Sequence, residues 1–300
     1  MASLVTPKSA LNNGEKNIKT NPIAAIAQLR STSDKFRNLV DVAVCARFAK
    51  SKGASMLFLP ECFGFIGEST SQTLEEAEDP AKLSAESFDS KSTVGAETQA
   101  SRINDCIKKR EEELELTRTL TSIIHKVGNS ADIEDRNIDI MNSNTKPLAV
   151  NSIMDGLRTI AKESGLWISG GGMHVSGAPP IANVTIDQSG EQGRCRIYNT
   201  HVILDSNGDL IARYRKIHLF DVSIPGKVEL RESKTTAPGT ELVACDSPVG
   251  RLGITTCYDL RFPEMYTELT QNLGAQVLLV PSAFTIPTGA AHWHTLLRGK

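Results

Sequence analysis

The sequence predicts a layered α/β fold, because strand-like and helix-like segments alternate along most of the chain. Residues 23–29 form a short apolar run suited to a buried strand, and residues 56–59 form a second. Between them, Ser33 and Asp34 offer an N-cap for a helix that Gly53 ends. A strand–helix–strand order with buried strands favours stacked layers of sheet and helix over an all-β architecture.

The totals describe an ordinary globular protein. Three hundred residues suit one large domain or two small ones, and 40% hydrophobic with 23% charged residues are usual globular values. The net charge of -2 gives no basic patch for nucleic acid or for a membrane surface. No apolar run approaches the roughly 18 residues that a membrane helix needs. We therefore expect neither a nucleic-acid partner nor a membrane partner.

The cysteines and the N-terminus indicate a reducing compartment. The six cysteines form no C-x-x-C pair, so neither a zinc knuckle nor a redox pair is predicted. They are Cys45, Cys62, Cys106, Cys195, Cys245 and Cys257. Residues 1–21 are polar and are expected to form a disordered tail, with a weak transit peptide as the alternative. They contain no apolar signal core, so secretion is not expected.

The predicted domain covers residues 22–300 and is interrupted by an insertion over residues 70–147. This stretch is rich in Ser, Thr, Glu, Asp and Lys, and only residues 103–127 show apolar residues at helical spacing. Opposite charges three and four residues apart stabilise a solvated helix. We interpret the insertion as a surface spacer with one helix, although a partner-binding role remains the alternative.

The α/β pattern resumes at Ile153, where apolar spacing predicts a helix that ends near Gly165. The next strand, residues 166–169, runs into three glycines at positions 170–172. These lack the G-x-G-x-x-G pattern of a dinucleotide site, so a turn or close backbone packing is their predicted use. The remaining predictions are strands over 196–204, 210–215, 249–256 and 276–280, a hairpin turn at 206–209 and a helix from His292.

Cys257 occupies the position around which the chain is organised. An apolar run ends at this residue, and Pro263 and Glu264 then open a helix-like segment that ends near Gly274. A thiol on such a turn lies near a helix N-terminus, whose N–H groups favour a thiolate and can bind an oxyanion. A buried structural cysteine is the alternative interpretation.

Two other chemically useful residues also end apolar strands: Glu61 and Lys216. In stacked α/β sheets, ligand sites gather at the carboxyl ends of strands. Taken singly, Glu61 can be an exposed loop acid and Lys216 a hairpin-end charge. Together with Cys257 they supply the parts of acyl transfer: a base, a nucleophile and an ammonium for the oxyanion.

The motifs around these residues resemble those of the nitrilase superfamily of carbon–nitrogen hydrolases. The matching stretches are F-L-P-E-C-F-G-F-I-G, Y-R-K-I-H-L-F-D-V-S-I-P-G and L-G-I-T-T-C-Y-D-L-R-F-P-E, followed by P-S-A-F-T-I-P-T-G-A-A-H-W-H near the end. R-E-S-K-T-T-A-P-G contains a further glutamate, Glu232. The resemblance implies an α-β-β-α sandwich that assembles into a homodimer or a higher homo-oligomer. We also expect no cofactor and a cytoplasmic location, with the mitochondrion as a second compartment.

The same resemblance implies the roles of individual residues. Glu61 is similar to the general base of the family, Lys216 to its oxyanion-stabilising lysine and Cys257 to its nucleophile. Glu232 resembles the second glutamate, which positions the lysine or moves protons. The backbone N–H of Tyr258 is expected to be the other oxyanion donor.

Three further residues are candidates for contact with the substrate. Arg261 is expected to pair with Asp259 or Glu264, with substrate contact as the less favoured use. Phe284 and Thr288 follow the next strand on a loop and are candidate pocket walls, with loop packing as the equal alternative. His292 and His294 lie two residues apart and do not share a helix face, so no metal site is predicted.

Within the superfamily, L-W-I-S-G-G-G-M-H, R-F-P-E and P-S-A-F most resemble the deaminated glutathione amidase branch. That branch hydrolyses the γ-amide bond of a keto form of glutathione, releasing 2-oxoglutarate and cysteinylglycine. H-L-F-D-V and G-K-V-E-L-R-E-S-K-T lean towards the ω-amidase branch, which acts on 2-oxoglutaramate and 2-oxosuccinamate. Both substrate classes carry a free carboxylate near the amide, so a cationic group in the pocket is expected.

The sequence departs from the family pattern in two places. The insertion lengthens the interval between Glu61 and Lys216, at a closure cost of only about 0.6 kcal/mol per doubling of loop length. The family pattern also continues past the helix at His292, so we expect the last part of the domain to be missing after Lys300 and its sheet edge to be unpaired. An inactive relative that serves as a binding or assembly module is the alternative function of another class.

Overall fold

The computed structural model describes residues 22–84, 152–179, 196–224 and 228–300, with helical positions at Lys108, Lys109 and Glu112. The predicted tail, most of the predicted insertion with its helix over 103–127, and most of the loop after β3 lie outside these residues. Within the described part of the chain, no helix is both long and apolar enough to cross a lipid bilayer.

The first layer of β-structure is a five-stranded sheet. Its strands are β1 (Ile23–Ile26), β2 (Ala54–Phe58), β3 (Trp167–Ala178), β4 (Arg196–Leu204) and β5 (Leu210–Arg215), in the spatial order β1-β2-β3-β4-β5. The first three strands are parallel, and β4 and β5 run antiparallel to their neighbours. The predicted bounds of β4 and β5 are confirmed, as is the turn between them, where Gly208 has a φ of 83°.

Helices α1 (Lys35–Ser51) and α3 (Ile153–Ser164) begin and end where the sequence predicts. The Asp34 carboxylate accepts a hydrogen bond from the N–H of Arg37 at 3.0 Å, which caps α1. Gly165 ends α3 in the left-handed conformation, with a φ of 62°, where a side chain would be strained. The short helix α2 (Thr70–Glu75) lies between β2 and α3 along the chain.

The start of the predicted insertion belongs to the folded domain. Glu78 is buried, and its carboxylate accepts hydrogen bonds from the Ser152 hydroxyl and the Ile153 N–H, both at 2.8 Å, at the start of α3. Leu83 is buried in the core beneath α1 and α3. Residues 78–84 therefore connect the region after β2 to α3 and leave only the later part of the range for a surface segment.

The second layer of β-structure is a three-stranded sheet in the order β10-β9-β8. Its strands are β8 (Val243–Cys245), β9 (Leu252–Ile254) and β10 (Val277–Leu279), with β9 parallel to β10 and antiparallel to β8. A separate hairpin of β6 (Asp221–Ile224) and β7 (Val228–Arg231) precedes it. Helix α4 (Pro263–Thr267) continues as a π-helical turn over Glu268–Asn272, and α5 spans Ile286–Arg298.

Alternating residues of the first sheet enter two separate cores. Leu57, Val202 and Leu204 pack with α1 and α3, whereas Met56 and Ile203 pack with the second sheet, α4 and α5. Because successive strand residues point to opposite faces, the first sheet is covered by helices on one side and by the second sheet on the other. The predicted α-β-β-α sandwich is thus confirmed.

Several sequence predictions about element bounds differ from the structure. The strands predicted over 249–256 and 276–280 are the shorter β9 and β10. Two other differences are larger. The strand predicted over 166–169 continues through the glycines as β3, because these residues serve close packing and make no turn: a Cβ on Gly171 would collide with the carbonyl oxygen of Pro60. The helix predicted from His292 begins at Ile286. Pro287 occupies its first turn, where a missing N–H breaks no helical hydrogen bond.

Candidate active site

The four polar residues singled out by the sequence come together where the two sheets meet. Glu61 follows β2, Lys216 follows β5, Glu232 follows β7 and Cys257 follows β9. The Lys216 ammonium lies 3.6 Å from Oε1 of Glu61 and 2.9 Å from Oε2 of Glu232. The charges of Glu61 and Lys216 both act on the Cys257 thiol, which places the thiol beside them. We call these four residues the inner site.

Glu61 is buried and is held from both sheets. Its Oε1 accepts a hydrogen bond from the side-chain amide of Asn199 in β4 at 2.9 Å. Its Oε2 accepts one from the backbone N–H of Ala283, just after β10, also at 2.9 Å. A carboxylate that accepts at both oxygens has a fixed orientation, and each of these bonds is a charge-assisted one.

Lys216 is buried, with 3% of its surface exposed, and is surrounded by carboxylates. Its ammonium donates to both oxygens of Glu232, at 3.0 and 2.9 Å. Burial lowers the pKa of Lys216, but the charges of Glu61 and Glu232 outweigh this penalty and raise its net pKa above the ordinary 10.5. Lys216 is therefore an ammonium near neutral pH. The N–H of Phe220 fixes Glu232 in turn, at 2.7 Å.

Cys257 opens a short 3₁₀ turn, Cys257–Arg261, with a left-handed φ of 51°. Its own N–H donates to the carbonyl oxygen of Pro281 at 2.8 Å, so the strained residue is tied to the end of β10. Burial and the Glu61 charge raise the pKa of the Cys257 thiol to about 12, against smaller opposing effects of Lys216 and the Ala283 N–H. The predicted preference for a thiolate is thus wrong for the resting site, because burial and a neighbouring anion outweigh the N–H groups.

Asp259 joins the turn that carries Cys257 to the strand end that carries Lys216. It is fully buried, and its Oδ2 accepts from the Tyr214 hydroxyl at 2.6 Å and the Thr256 N–H at 2.9 Å. Its Oδ1 accepts from the N–H and the imidazole Nδ1 of His218, at 3.0 and 2.8 Å. Tyr214 and His218 flank Lys216 along the chain, so one carboxylate fixes both elements.

The predicted partner of Arg261 is a further correction. Asp259 is occupied by Tyr214, His218 and Thr256, and no carboxylate of the described residues forms an ion pair with the exposed Arg261. The predicted salt bridge to Asp259 or Glu264 is therefore wrong for this part of the chain. The less favoured alternative, contact with a substrate, is the one that this arrangement permits.

The other candidate binding residues follow Ala283, which hydrogen-bonds Glu61, along the chain. Phe284 lines a cavity of about 380 Å³ and packs edge-on against Trp293, with ring centroids 5.4 Å apart. The lining, which we call the outer wall, is Ser282, Phe284, Gly289, Ala290, Trp293 and His294. Thr288, predicted on a loop, lies in the first turn of α5 and accepts from the Thr285 hydroxyl at 2.9 Å. Thr288 is not part of the lining.

Tyr258 follows Cys257 and packs edge-on against two aromatic rings, those of Phe220 at 5.1 Å and Phe262 at 5.8 Å. None of the described residues accepts a hydrogen bond from its backbone N–H. That donor, next to the thiol, is therefore available to an oxyanion. As for metals, no three His, Cys, Asp or Glu side chains are grouped to hold an ion across the described ranges.

Sequence reasoning missed three residues of this site: Asn199, Asp259 and Ala283. Asn199 contacts Glu61 across 138 positions of the sequence, and nothing in its own strand marks it. Ala283 acts through its backbone, which no side-chain pattern reveals. Only Asp259 had a local signal, because an acid two residues after a turn-mounted thiol is placed to cap that turn.

Comparison with known proteins identifies the family. Residues 141–300, just over half of the chain, match the carbon–nitrogen hydrolase family. A deaminated glutathione amidase of Dictyostelium discoideum is 48% identical over 149 residues, which are 49% of this chain and 47% of that protein. The human omega-amidase NIT2 is 37% identical over 144 residues, 48% of this chain and 46% of that protein.

Solved structures agree with this assignment. The crystal structure of the NitFhit protein of C. elegans is 30% identical, with a TM-score of 0.56. The match covers 92% of this chain and 47% of that protein, so the chain spans about half the length of the proteins named here. With an α-β-β-α sandwich and a family match over more than half of its residues, the chain belongs to the carbon–nitrogen hydrolase family.

Proposed function

We propose that the chain is an amidase that hydrolyses a small 2-oxo acid amide through a cysteine acyl-enzyme. The observation that carries this proposal is the inner site, where a buried carboxylate and an ammonium form an ion pair and both charges act on the neighbouring thiol. In the proposal, Glu61 is the general base, Cys257 the nucleophile and Lys216 the oxyanion-stabilising cation. Glu232 positions Lys216.

Acylation begins from a neutral thiol, because the pKa of Cys257 is raised to about 12. Glu61 takes the thiol proton as the sulfur attacks the amide carbonyl carbon. The Lys216 ammonium and the Tyr258 N–H bind the oxyanion of the tetrahedral intermediate. Glu61 then gives the proton to the departing nitrogen, the carbon–nitrogen bond breaks, and a thioester to Cys257 remains.

Deacylation reverses these proton transfers with water in place of the amine. Glu61 accepts a proton from a water molecule as its oxygen attacks the thioester carbonyl. The second intermediate uses the same two oxyanion donors. Its collapse breaks the carbon–sulfur bond, and the thiolate recovers the proton from Glu61. The Glu61–Ala283 and Glu61–Asn199 hydrogen bonds support this double use, because they keep the carboxylate in one orientation.

Deaminated glutathione is the substrate we propose, and 2-oxoglutaramate is the alternative. The identity of 48% to a deaminated glutathione amidase, against 37% to an omega-amidase over a similar length, supports this order. The cavity of about 380 Å³ that the outer wall lines offers space for a peptide-sized leaving group. Arg261 supports recognition of the substrate carboxylate, because it is exposed and lies at the end of the turn that carries Cys257. Self-association and a cytoplasmic or mitochondrial location belong to the same proposal.

Steady-state kinetics on the two amides, combined with mass spectrometry of the protein, test the proposal. We expect a higher kcat/KM for deaminated glutathione and an acyl adduct on Cys257 when the reaction is stopped early. Cys257→Ala should lose turnover and adduct together. Cys245→Ala is the matched control, because Cys245 is a half-buried cysteine in β8 away from the inner site.

Two results would count against the proposal. Equal turnover by Cys257→Ala and the unchanged chain would exclude the cysteine mechanism. A folded wild-type chain without turnover or adduct on either amide would favour the alternative of a binding or assembly module.

A further inference from the structure

Gly172, the last of the three glycines of β3, lies against Asn199 and Glu61. A Cβ on Gly172 would lie 2.7 Å from Oδ1 of Asn199 and 3.4 Å from Cγ of Glu61. Gly172 also pairs with Glu61 across the sheet, and its carbonyl oxygen accepts from the Cys62 N–H at 2.9 Å. The absence of a side chain at Gly172 thus leaves room for the Asn199 side chain to reach Glu61.

Asn199 contacts two residues of the inner site by different groups. Its side-chain amide donates to Oε1 of Glu61 at 2.9 Å, the same oxygen that lies 3.6 Å from the Lys216 ammonium. Its backbone carbonyl oxygen accepts from the N–H of Lys216 at 2.9 Å. One residue of β4 therefore fixes the side chain of Glu61 relative to the strand end that carries Lys216.

The other end of the Asn199 amide has no partner among the described residues. Its Oδ1 is buried and accepts no hydrogen bond from the described residues, and only 4% of Asn199 is exposed to water. A buried acceptor without a donor destabilises the fold, so another interaction of the same side chain must justify its presence. That interaction is the hydrogen bond from the Asn199 amide N–H to Glu61, because a flipped amide would place Oδ1 against the carboxylate oxygen and repel it. The orientation of Asn199 is therefore matched to an ionised Glu61.

We propose that Asn199 is a positioning residue for Glu61, which keeps the carboxylate aimed at Cys257, and that Gly172 is required to make room for it. This inference rests on the proposed role of Glu61 as general base. Asn199 donates to the oxygen on the Lys216 side, and the Ala283 N–H donates to the other, so neither oxygen rotates away from the thiol.

Several titratable groups face Glu61, and each enters the interpretation of a pH profile. Lys216 lies on the β5 side, Cys62 is the next residue along the chain, Cys257 lies on the turn after β9, and His174 lies on β3. Burial lowers the pKa of His174, so its imidazole titrates on the acidic side of its ordinary range. A His174→Gln background therefore separates its titration from that of the base.

The test compares Asn199→Leu with the unchanged chain. Leucine has a similar shape and removes the N–H donor. Thr200→Val is the matched control, because Thr200 is the next residue of β4, is also buried, and has a hydroxyl without a described partner. Two rates are measured against pH, with and without His174→Gln: kcat/KM for deaminated glutathione, and alkylation of Cys257 by iodoacetamide followed by mass spectrometry.

We expect the acidic limb of both profiles to move up by roughly one pH unit in Asn199→Leu, the shift for losing one hydrogen bond to a charged group. Thr200→Val should leave the limb in place. Gly172→Ala should move it in the same direction, because the added methyl displaces the Asn199 side chain. Should Asn199→Leu fail to fold, Asn199→Ala removes the same donor with a smaller side chain.

An unchanged acidic limb in a folded Asn199 variant would overturn the inference, whatever happens to the rate, because a merely structural role lowers activity at every pH alike. The alkylation profile keeps this outcome separate from failure of the proposed function. A wild-type chain that cleaves no amide would refute the amidase, while the iodoacetamide comparison would still decide the role of Asn199.

Discussion

The inner site and the outer wall differ in how their side chains are held. Glu61 is fixed by Asn199 from one sheet and by Ala283 from the other, and Lys216 is bound by two carboxylates. The outer wall comes only from the loop after β10 and from α5, where Phe284 and Trp293 meet through one ring contact. At the start of α5, Ile286 is 89% exposed.

This difference separates chemistry from substrate choice. Residues that form buried ion pairs tolerate few substitutions, because removing one partner leaves the other charge unpaired and shielded from water. Apolar side chains on a single helix and loop can change with smaller consequences. We therefore expect substitutions in the inner site to affect kcat and stability together, and those in the outer wall to affect mainly KM.

Lys216→Met should give the largest effect. The loss of a charged oxyanion donor lowers kcat/KM by roughly 10³-fold. It also leaves the Glu61 and Glu232 carboxylates facing each other without a cation, which destabilises the fold by about 3–5 kcal/mol. Steady-state kinetics and urea unfolding measure the two effects. Lys234→Met, at an ammonium that is 61% exposed beside Glu229, is the control and should change neither quantity much.

Asp259→Asn tests whether the support of the inner site matters as much as its charges. Tyr214, Thr256 and His218 all donate to the Asp259 carboxylate, and an amide can accept at only one of its two ends. We expect a loss of about 3 kcal/mol in the free energy of unfolding, measured in urea. Asp246→Asn removes a carboxylate that is 83% exposed and should be nearly neutral. Equal stability of the two variants would contradict this account.

His201 provides a pH-dependent test of the interface between the two sheets. Burial lowers its pKa from 6.5 to about 4, and its ring joins the Ser169 hydroxyl at 2.7 Å to the Thr255 carbonyl oxygen at 3.1 Å. The unfolded chain binds the proton first, so the contribution of neutral His201 is complete above pH 6.5 and is lost as the pH falls towards 4.

We expect about 2 kcal/mol of this contribution to disappear between pH 7 and pH 5. The measurement is urea unfolding at both pH values for the unchanged chain and for His201→Asn, which removes the titrating group. The difference between the two pH dependences isolates the imidazole from the carboxylates that titrate nearby. Parallel pH dependences would show that His201 is not buried in its neutral form.

The first sheet and its helices could be predicted from the sequence because their signals are local. Asp34 and Gly165 mark helix ends, and the Asn207-Gly208 turn fixes the hairpin of β4 and β5. The short strands β6, β7 and β8 were not predicted, because their sequences, D-V-S-I, V-E-L-R and V-A-C, lack the longer apolar run that marks β10. The hairpin of β6 and β7 nevertheless positions Glu232.

The candidate site was predictable in its charges and its thiol, and unpredictable in its supports. The sequence alone shows that an apolar strand precedes each of Glu61, Lys216 and Cys257. It does not reveal Asn199, because a polar residue within a strand gives no sign of which distant group it contacts. The thiol also shows the limit of local reasoning, since its burial and the charge of the distant residue Glu61 raise its pKa.

Phe284→Ala should give the smallest effect and tests the outer wall directly. Loss of one apolar wall should raise KM by roughly 10-fold with little change in kcat. Ile286→Ala is the control, since Ile286 is exposed and lies outside the cavity lining. Kinetics at several substrate concentrations separate KM from kcat. A matching fall in kcat would show that the outer wall also affects the inner site. The route would be the backbone of Ala283, next to Phe284, because a shift there would break its hydrogen bond to Oε2 of Glu61.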